Sequence, residues 1–185
     1  MLVLDVLKTA SLMLGLEDEL APVFVSGTVN AETQKKFDKL LAGFNLCFSE
    51  ISTDYIPLLN SETLTPIGGR LYFGGGDVKR IYEIRTKAGK KLKYKQFDGY
   101  IFIDFAGEVD VISNTYPQKL EINSQFDSFG GKISEKCLAM GAASEYCFLT
   151  SLFEDAAIWD NRFRQALKCA CAKKGSINLR GRRWL

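Results

Sequence analysis

Hydrophobic positions along this chain change their period twice. Near the N-terminus, residues 5–14 carry apolar side chains at helical spacing, with Asp5 as a candidate N-cap and Gly15 as a stop. Glu17–Glu19 and Pro22 break that pattern, and Val23–Asn30 reads as a loop or a short extended piece. Asn30 then suits the N-cap of the clearest helix in the sequence. Phe37, Leu40, Leu41, Phe44, Phe48, Ile51 and Tyr55 recur at steps of three and four, while Glu32, Lys35, Lys36, Asp38 and Lys39 occupy the other side. Pro57 requires the helix to stop before it. An aromatic stripe of this kind belongs to a core rather than to a ligand box.

From Thr65 the period falls towards two. Pro66, Gly68, Gly69 and Gly74–Gly76 punctuate short runs rich in β-branched and aromatic residues: Arg70–Phe73, Val78–Thr86, Lys91–Gln96, Tyr100–Asp104 and Val109–Tyr116. Within Val78–Arg85 the alternation is imperfect. Ala88 and Gly89 suit a hairpin turn. Five strands joined by tight turns predict a small antiparallel sheet or partly closed sandwich, ended by Tyr116 and Pro117. Gln118–Gly131 is polar, and Gly130–Gly131 reads as a hinge into the next helices.

The helical period then returns, over Ile133–Leu149 and Asp155–Lys174. Leu138, Ala142, Leu149 and Phe153 keep one register, interrupted at Glu145, and Ala156, Trp159, Phe163, Ala166 and Ala170 keep another. Between them Ser151–Glu154 fits a capping box. Glu154 and Asp155 suit a helix start, and Lys173, Lys174 and Gly175 its end. So short a join predicts an antiparallel pair. The fold class expected is α+β, mostly a bundle of four helices, with a small antiparallel β subdomain inserted between the second and third long helices. The segments are 1–64, 65–117, 118–175 and an extended tail, 176–185. Phe37, Phe44, Phe48, Ile51, Leu138, Trp159 and Phe163 form the expected bundle core.

Charge adds an asymmetry. The 185 residues hold 24 Lys or Arg and 22 Asp or Glu, but Asn161–Leu185 holds eight of the bases and no acid, leaving a net of −6 in residues 1–160. A basic end points to nucleic acid or an acidic protein surface. The tail, Leu179–Leu185, joins three Arg to a Trp, residue types enriched in binding hot spots. Arg180, Arg182, Arg183, Trp184 and Leu185 are therefore the candidate partner-docking residues, Arg pairing with carboxylates or phosphates. No apolar run approaches the roughly 20 residues of a membrane span. The first eight residues lack a basic leader and meet Asp5 early, which argues against a signal peptide.

Candidate chemistry is sparse. The chain has no His, the commonest general base and metal ligand. Its five Cys (47, 137, 147, 169 and 171), odd in number and in apolar settings, suit reduced thiols in a cytosolic product. Cys169 and Cys171 make at most half a zinc site. Gly74–Asp77 lacks the Lys-Ser/Thr pair of a phosphate loop and reads as a turn. Asp98, Asp104, Glu108 and Asp110 fall at strand ends, where solvated acids are ordinary. No catalytic constellation, cofactor site or metal site emerges, so an enzyme is not expected.

Three features together resemble the head–tail connector, or adaptor, proteins of tailed bacteriophages: the helix, helix, β-insertion, helix, helix order; the pair carrying Ala139–Cys147 and Asp155–Phe163; and the ending Ile177–Trp184. The resemblance covers nearly the whole chain through loose motifs. It implies a structural virion protein of the neck, made in the host cytoplasm. Such proteins form a homo-oligomeric ring, commonly of twelve copies, beneath the portal protein, extending the DNA channel towards the next neck or tail protein. DNA would pass without its sequence being read. The C-terminal tail would reach onto the portal or a neighbouring subunit, and the β insertion would project sideways or towards the next ring. Two other readings stand beside this one: a nucleic-acid-binding module using the basic last helix and tail, and a tail-completion or terminator ring of different symmetry.

Overall fold

Asn30 opens the longest helix: its side-chain oxygen accepts from the Thr33 amide at 2.8 Å, satisfying one of the amides that a helix start leaves unpaired. A computed structural model describes residues 1–25, 29–72 and 78–172 and shows an α+β fold. Among the described residues the elements run α1 (Val3–Met13), α2 (Glu17–Val25), α3 (Ala31–Glu50), β1 (Leu59–Leu64), β2 (Arg70–Leu71), β3 (Val78–Thr86), β4 (Tyr94–Phe97), β5 (Tyr100–Ile103), β6 (Val109–Thr115), α4 (Glu135–Leu149) and α5 (Phe153–Cys171). A π-helical turn over Ile51–Tyr55 continues α3, and the chain leaves it at Ile56, ahead of Pro57.

Helix α2 corrects the reading of Glu17–Val25 as a broken, partly extended stretch. Pro22 removes one intrahelical amide. However, three acids in the first turn favour the helix dipole, and Leu20 and Val23 are buried. Helix α1 also differs at its start, which is Leu2 without a side-chain cap, so Asp5 lies in the first turn instead.

Six strands form two three-stranded antiparallel sheets, ordered β1–β6–β3 and β2–β5–β4. Leu71, Ile81, Ile84, Ile101, Ile103, Val109 and Val111 make their common core. Register shifts between Val78 and Arg80 and between Ile81 and Glu83 explain the imperfect alternation of β3, since a bulge resets which face a side chain meets. Strand β1 lies within residues 1–64, which were expected to be helical. It is an edge strand, exposed over nearly its whole length, so no period-two signal was required of it. Strand β4 begins at Tyr94, whereas Lys91 makes only an isolated bridge to Arg85.

The segment between β6 and α4, read as a polar connection, belongs to the helical core. Phe126, Phe129 and Ile133 are buried. Phe126 meets Phe44 and Phe48 at ring separations of 5.6 and 5.3 Å. Each such ring contributes about 1.5–3 kcal/mol of burial. Backbone bonds stitch the segment to the N-terminus, Val3 N–H to Ser124 O at 3.1 Å and Phe126 N–H to Met1 O at 3.0 Å. Asn45 on α3 clamps it further, accepting from Leu120 N–H at 2.7 Å and donating to Leu120 O at 3.0 Å.

Helix α4 is the centre of the helical part. Ser134 caps it, accepting from Cys137 N–H at 3.2 Å. Cys137 through Ser144, Tyr146 and Cys147 are all buried, because α1, α3 and α5 each pack on it. Small residues permit this. A Cβ on Gly43 of α3 would lie 3.0 Å from Ala142 O and 3.1 Å from Tyr146 N. One on Gly141 would overlap Cys47 Sγ and meet the Phe163 ring at 2.9 Å. Among the described residues no helix is long and apolar enough to cross a membrane.

In an open helix, Gly→Ala is favourable by about 1 kcal/mol. Gly141→Ala should instead lower stability, by about 1–3 kcal/mol, as overpacking does. Urea unfolding measures this, and a variant as stable as the parent would contradict the packing described.

Candidate interaction surfaces

Among the described residues, the turn between α4 and α5 presents a run of uncovered apolar side chains. Its geometry is that of a Schellman ending. Leu152 N–H donates to Cys147 O at 2.8 Å and Ser151 N–H to Phe148 O at 3.1 Å, and Ser151 occupies the left-handed region with φ of 63°. Ser151 therefore closes α4 and does not cap α5. The N-cap of α5 is Leu152, which makes no side-chain capping bond, so the capping-box reading of Ser151–Glu154 is corrected. Phe148, Leu149, Leu152, Phe153 and Ile158 stay exposed around this turn, with the Phe148 and Phe153 rings 6.5 Å apart.

Beside the turn lies a groove of about 460 Å³, lined in part by Leu14, Leu16, Leu152, Ile158, Trp159 and Arg162. The Arg162 guanidinium sits 5.0 Å above the Trp159 ring, a cation–π contact that holds the indole at the groove wall. Asp155 adds a carboxylate.

A second feature is electrostatic. Glu50 on α3, Glu145 on α4 and Asp160 and Arg164 on α5 share one region between these helices. Arg164 Nε donates to Asp160 at 2.8 Å, and its Nη1 lies 3.7 Å from Glu50. Burial pushes the Glu50 and Glu145 carboxyls above the usual range. The neighbouring carboxylates raise them further, and Arg164 draws them back in part. Glu145 is thus the polar interruption of the α4 register, an acid held where three helices converge.

Other expected site residues fall as follows. Phe37, Phe44, Phe48, Ile51, Leu138 and Phe163 lie in one buried cluster, and Trp159 is half-buried against its edge. Arg180, Arg182, Arg183, Trp184 and Leu185 lie outside the described residues, as do Lys173–Gly175 and Gly74–Asp77. Of the strand-end acids, Asp110 accepts from Lys87 at 2.8 Å and from Thr63 at 2.6 Å, and these donors hold its carboxyl below the usual range. Asp98, Asp104 and Glu108 are exposed. Cys47, Cys137 and Cys147 are buried, with the Cys137 thiol pushed up to about 11 by burial, while Cys169 and Cys171 are exposed. Among the described residues no group of three or more His, Cys, Asp or Glu could hold a metal ion.

In the sequence Leu149 and Phe153 read as register positions, Leu152 falls within the capping-box stretch, and Phe148 is not singled out. The available signal was their type: a helix–helix turn facing only water favours polar residues, and this one carries Phe, Leu, Leu and Phe within six positions.

Ser151 occupies a backbone region that costs a non-glycine residue about 1–2 kcal/mol. Ser151→Gly should therefore raise the thermal midpoint without altering the fold, and a lowered midpoint would refute the Schellman assignment. The raised carboxyls have the opposite consequence from a salt-bridged acid. Their favourable contribution is complete below about pH 4.5 and is lost as pH rises through the raised values. Glu145→Gln should therefore stabilise the protein at neutral pH and flatten the rise in stability on mild acidification. Denaturant titrations at several pH values test this, and a variant less stable at neutral pH would contradict it. Against known proteins, no family model and no curated protein matches this chain.

Proposed function

We propose that this chain is a structural protein of a phage virion, a head–tail connector that assembles as a ring beneath the portal and joins capsid to tail. In this reading α1, α3, α4 and α5 form the four-helix body, and the β region between α3 and α4 is an inserted unit. Copies pack side by side through unlike faces, and rotation closes the ring; twelve copies are common in the family the sequence resembles. The channel conducts DNA without reading it. The role is architectural, without catalysis.

The observation that carries this reading is the uncovered apolar surface around the α4–α5 turn, with Phe148, Leu152, Phe153 and Ile158 exposed together. Exposed apolar side chains grouped at one turn of a folded chain suit a neighbouring protein surface. Among the described residues three helices precede the β region, one more than the resemblance implies. Arg180, Arg182, Arg183, Trp184 and Leu185 supply the hook onto the portal or a neighbouring copy. The reading in which α5 itself grips nucleic acid is less favoured, because Arg164 is engaged by Asp160 and Glu50.

Deleting Arg180–Leu185 should leave a folded chain, with an unchanged circular dichroism spectrum, that no longer joins the portal. Co-sedimentation and electron microscopy of the chain mixed with its portal measure this. A truncated chain that assembles like the full one would remove the tail as the anchor.

A further inference from the structure

The outer face of the β2–β5–β4 sheet carries two ordered rows of side chains. The antiparallel register sets Arg70 opposite Phe102 and Phe102 opposite Lys95, and Phe97 opposite Tyr100. Directly paired residues point to the same side of a sheet, so Arg70, Phe102 and Lys95 form one row. Tyr72, Tyr100 and Phe97 form the next, with Tyr72 and Tyr100 rings 6.2 Å apart. The opposite face holds the buried Leu71, Ile101 and Ile103.

This outer face is pre-organised. Phe97 stacks on Tyr100 at 5.0 Å with an interplanar angle of 14°. The Arg70 guanidinium lies 5.1 Å from the centre of the Tyr100 ring, beside Tyr72. A guanidinium resting over an aromatic ring still carries N–H donors that can meet an oxyanion. Tyr72, Phe97 and Phe102 remain 53%, 47% and 40% exposed, a heavy aromatic exposure on so small a sheet. The two rows contain cations at Arg70 and Lys95 and no carboxylate; Asp98 and Asp104 lie beyond them, in the β4–β5 turn and past the end of β5.

We infer that this face binds single-stranded nucleic acid, its bases stacking on Tyr72, Phe97 and Phe102 and its phosphates meeting Arg70 and Lys95. The spacing fits. Neighbouring strands lie about 4.8 Å apart, so the backbones that carry the two cations stand about 10 Å apart across Phe102, within the reach of an extended nucleotide backbone. Sequence-tolerant platforms of this type combine open rings with flanking positive charge. Unpaired bases are required, because a duplex hides its base faces. The inference does not depend on the virion reading or on the tail.

The test is fluorescence anisotropy of the full chain with labelled oligodeoxythymidylate over a range of salt. Tyr72→Ala and Phe97→Leu, both at exposed positions, should each weaken binding at least about fivefold, the lower end of one stacked base, without changing the salt slope. Arg70→Ala should weaken it and flatten the slope of log affinity against log salt by about 0.7. Circular dichroism of each variant checks that the sheet persists. The inference is overturned by unchanged affinity in the ring variants, which would leave the basic C-terminal residues as the sole contact. It is equally overturned by duplex binding as tight as single-strand binding, or by polyglutamate competing as well as unlabelled oligonucleotide, which would indicate an acidic protein partner.

Discussion

The close approach of α3 to α4 is the constraint on which the helical part depends. A methyl group on Gly43 would press the α4 backbone at 3.0 to 3.1 Å, and one on Gly141 would overlap Cys47 and crowd Phe163. Interiors pack at the density of organic crystals, so no slack exists to absorb the missing space. Ala139, Ala142, Ala143 and Ser144 extend the same economy of volume along α4, and its other sides meet α1 and α5. The phenyl rings that pack here come from the surrounding elements: Phe44 and Phe48 from α3, Phe163 from α5, and Phe126 and Phe129 from the segment before α4. A thin central helix ringed by aromatics is the result.

That design explains what the sequence made legible. Asn30, the stripe from Phe37 to Ile51 and the bounds of β3 were readable because local chemistry and tertiary structure agree there. Helix α4 was readable as a helix but not as the centre. A segment buried on every side loses the one-sided stripe that marks a surface helix, and Glu145 looked like an interruption. Helix α2 was hidden by Pro22 and by acids that suit a helix start as readily as a loop. Phe126 and Phe129 were passed over because their neighbours are polar; their burial comes from a fold-back onto α3 that no local pattern encodes. Ser151 was read as a cap for the helix after it, whereas a Ser in the left-handed region ends the helix before it.

Less of the interaction surface was legible than of the fold. The exposed group around Phe148 and Phe153 appears only once α4 and α5 are seen to turn there, leaving those rings outside both helical contacts. The rows on the β2–β5–β4 sheet likewise need the register, since Arg70, Lys95 and Phe102 are far apart in sequence. Both surfaces sit on elements whose other sides are firmly packed, the α4–α5 turn on the helical core and the sheet on its own apolar layer. Rigid support beneath an exposed apolar or aromatic face keeps the ordering cost of an encounter small.

Amide hydrogen exchange followed residue by residue tests the central role of α4 most directly. The account predicts that amides of Leu138 through Ser144 exchange among the slowest in the chain, through global unfolding, with those of Phe126 protected alongside them. Exchange in α4 faster than in the flanking α3 and α5 would contradict it.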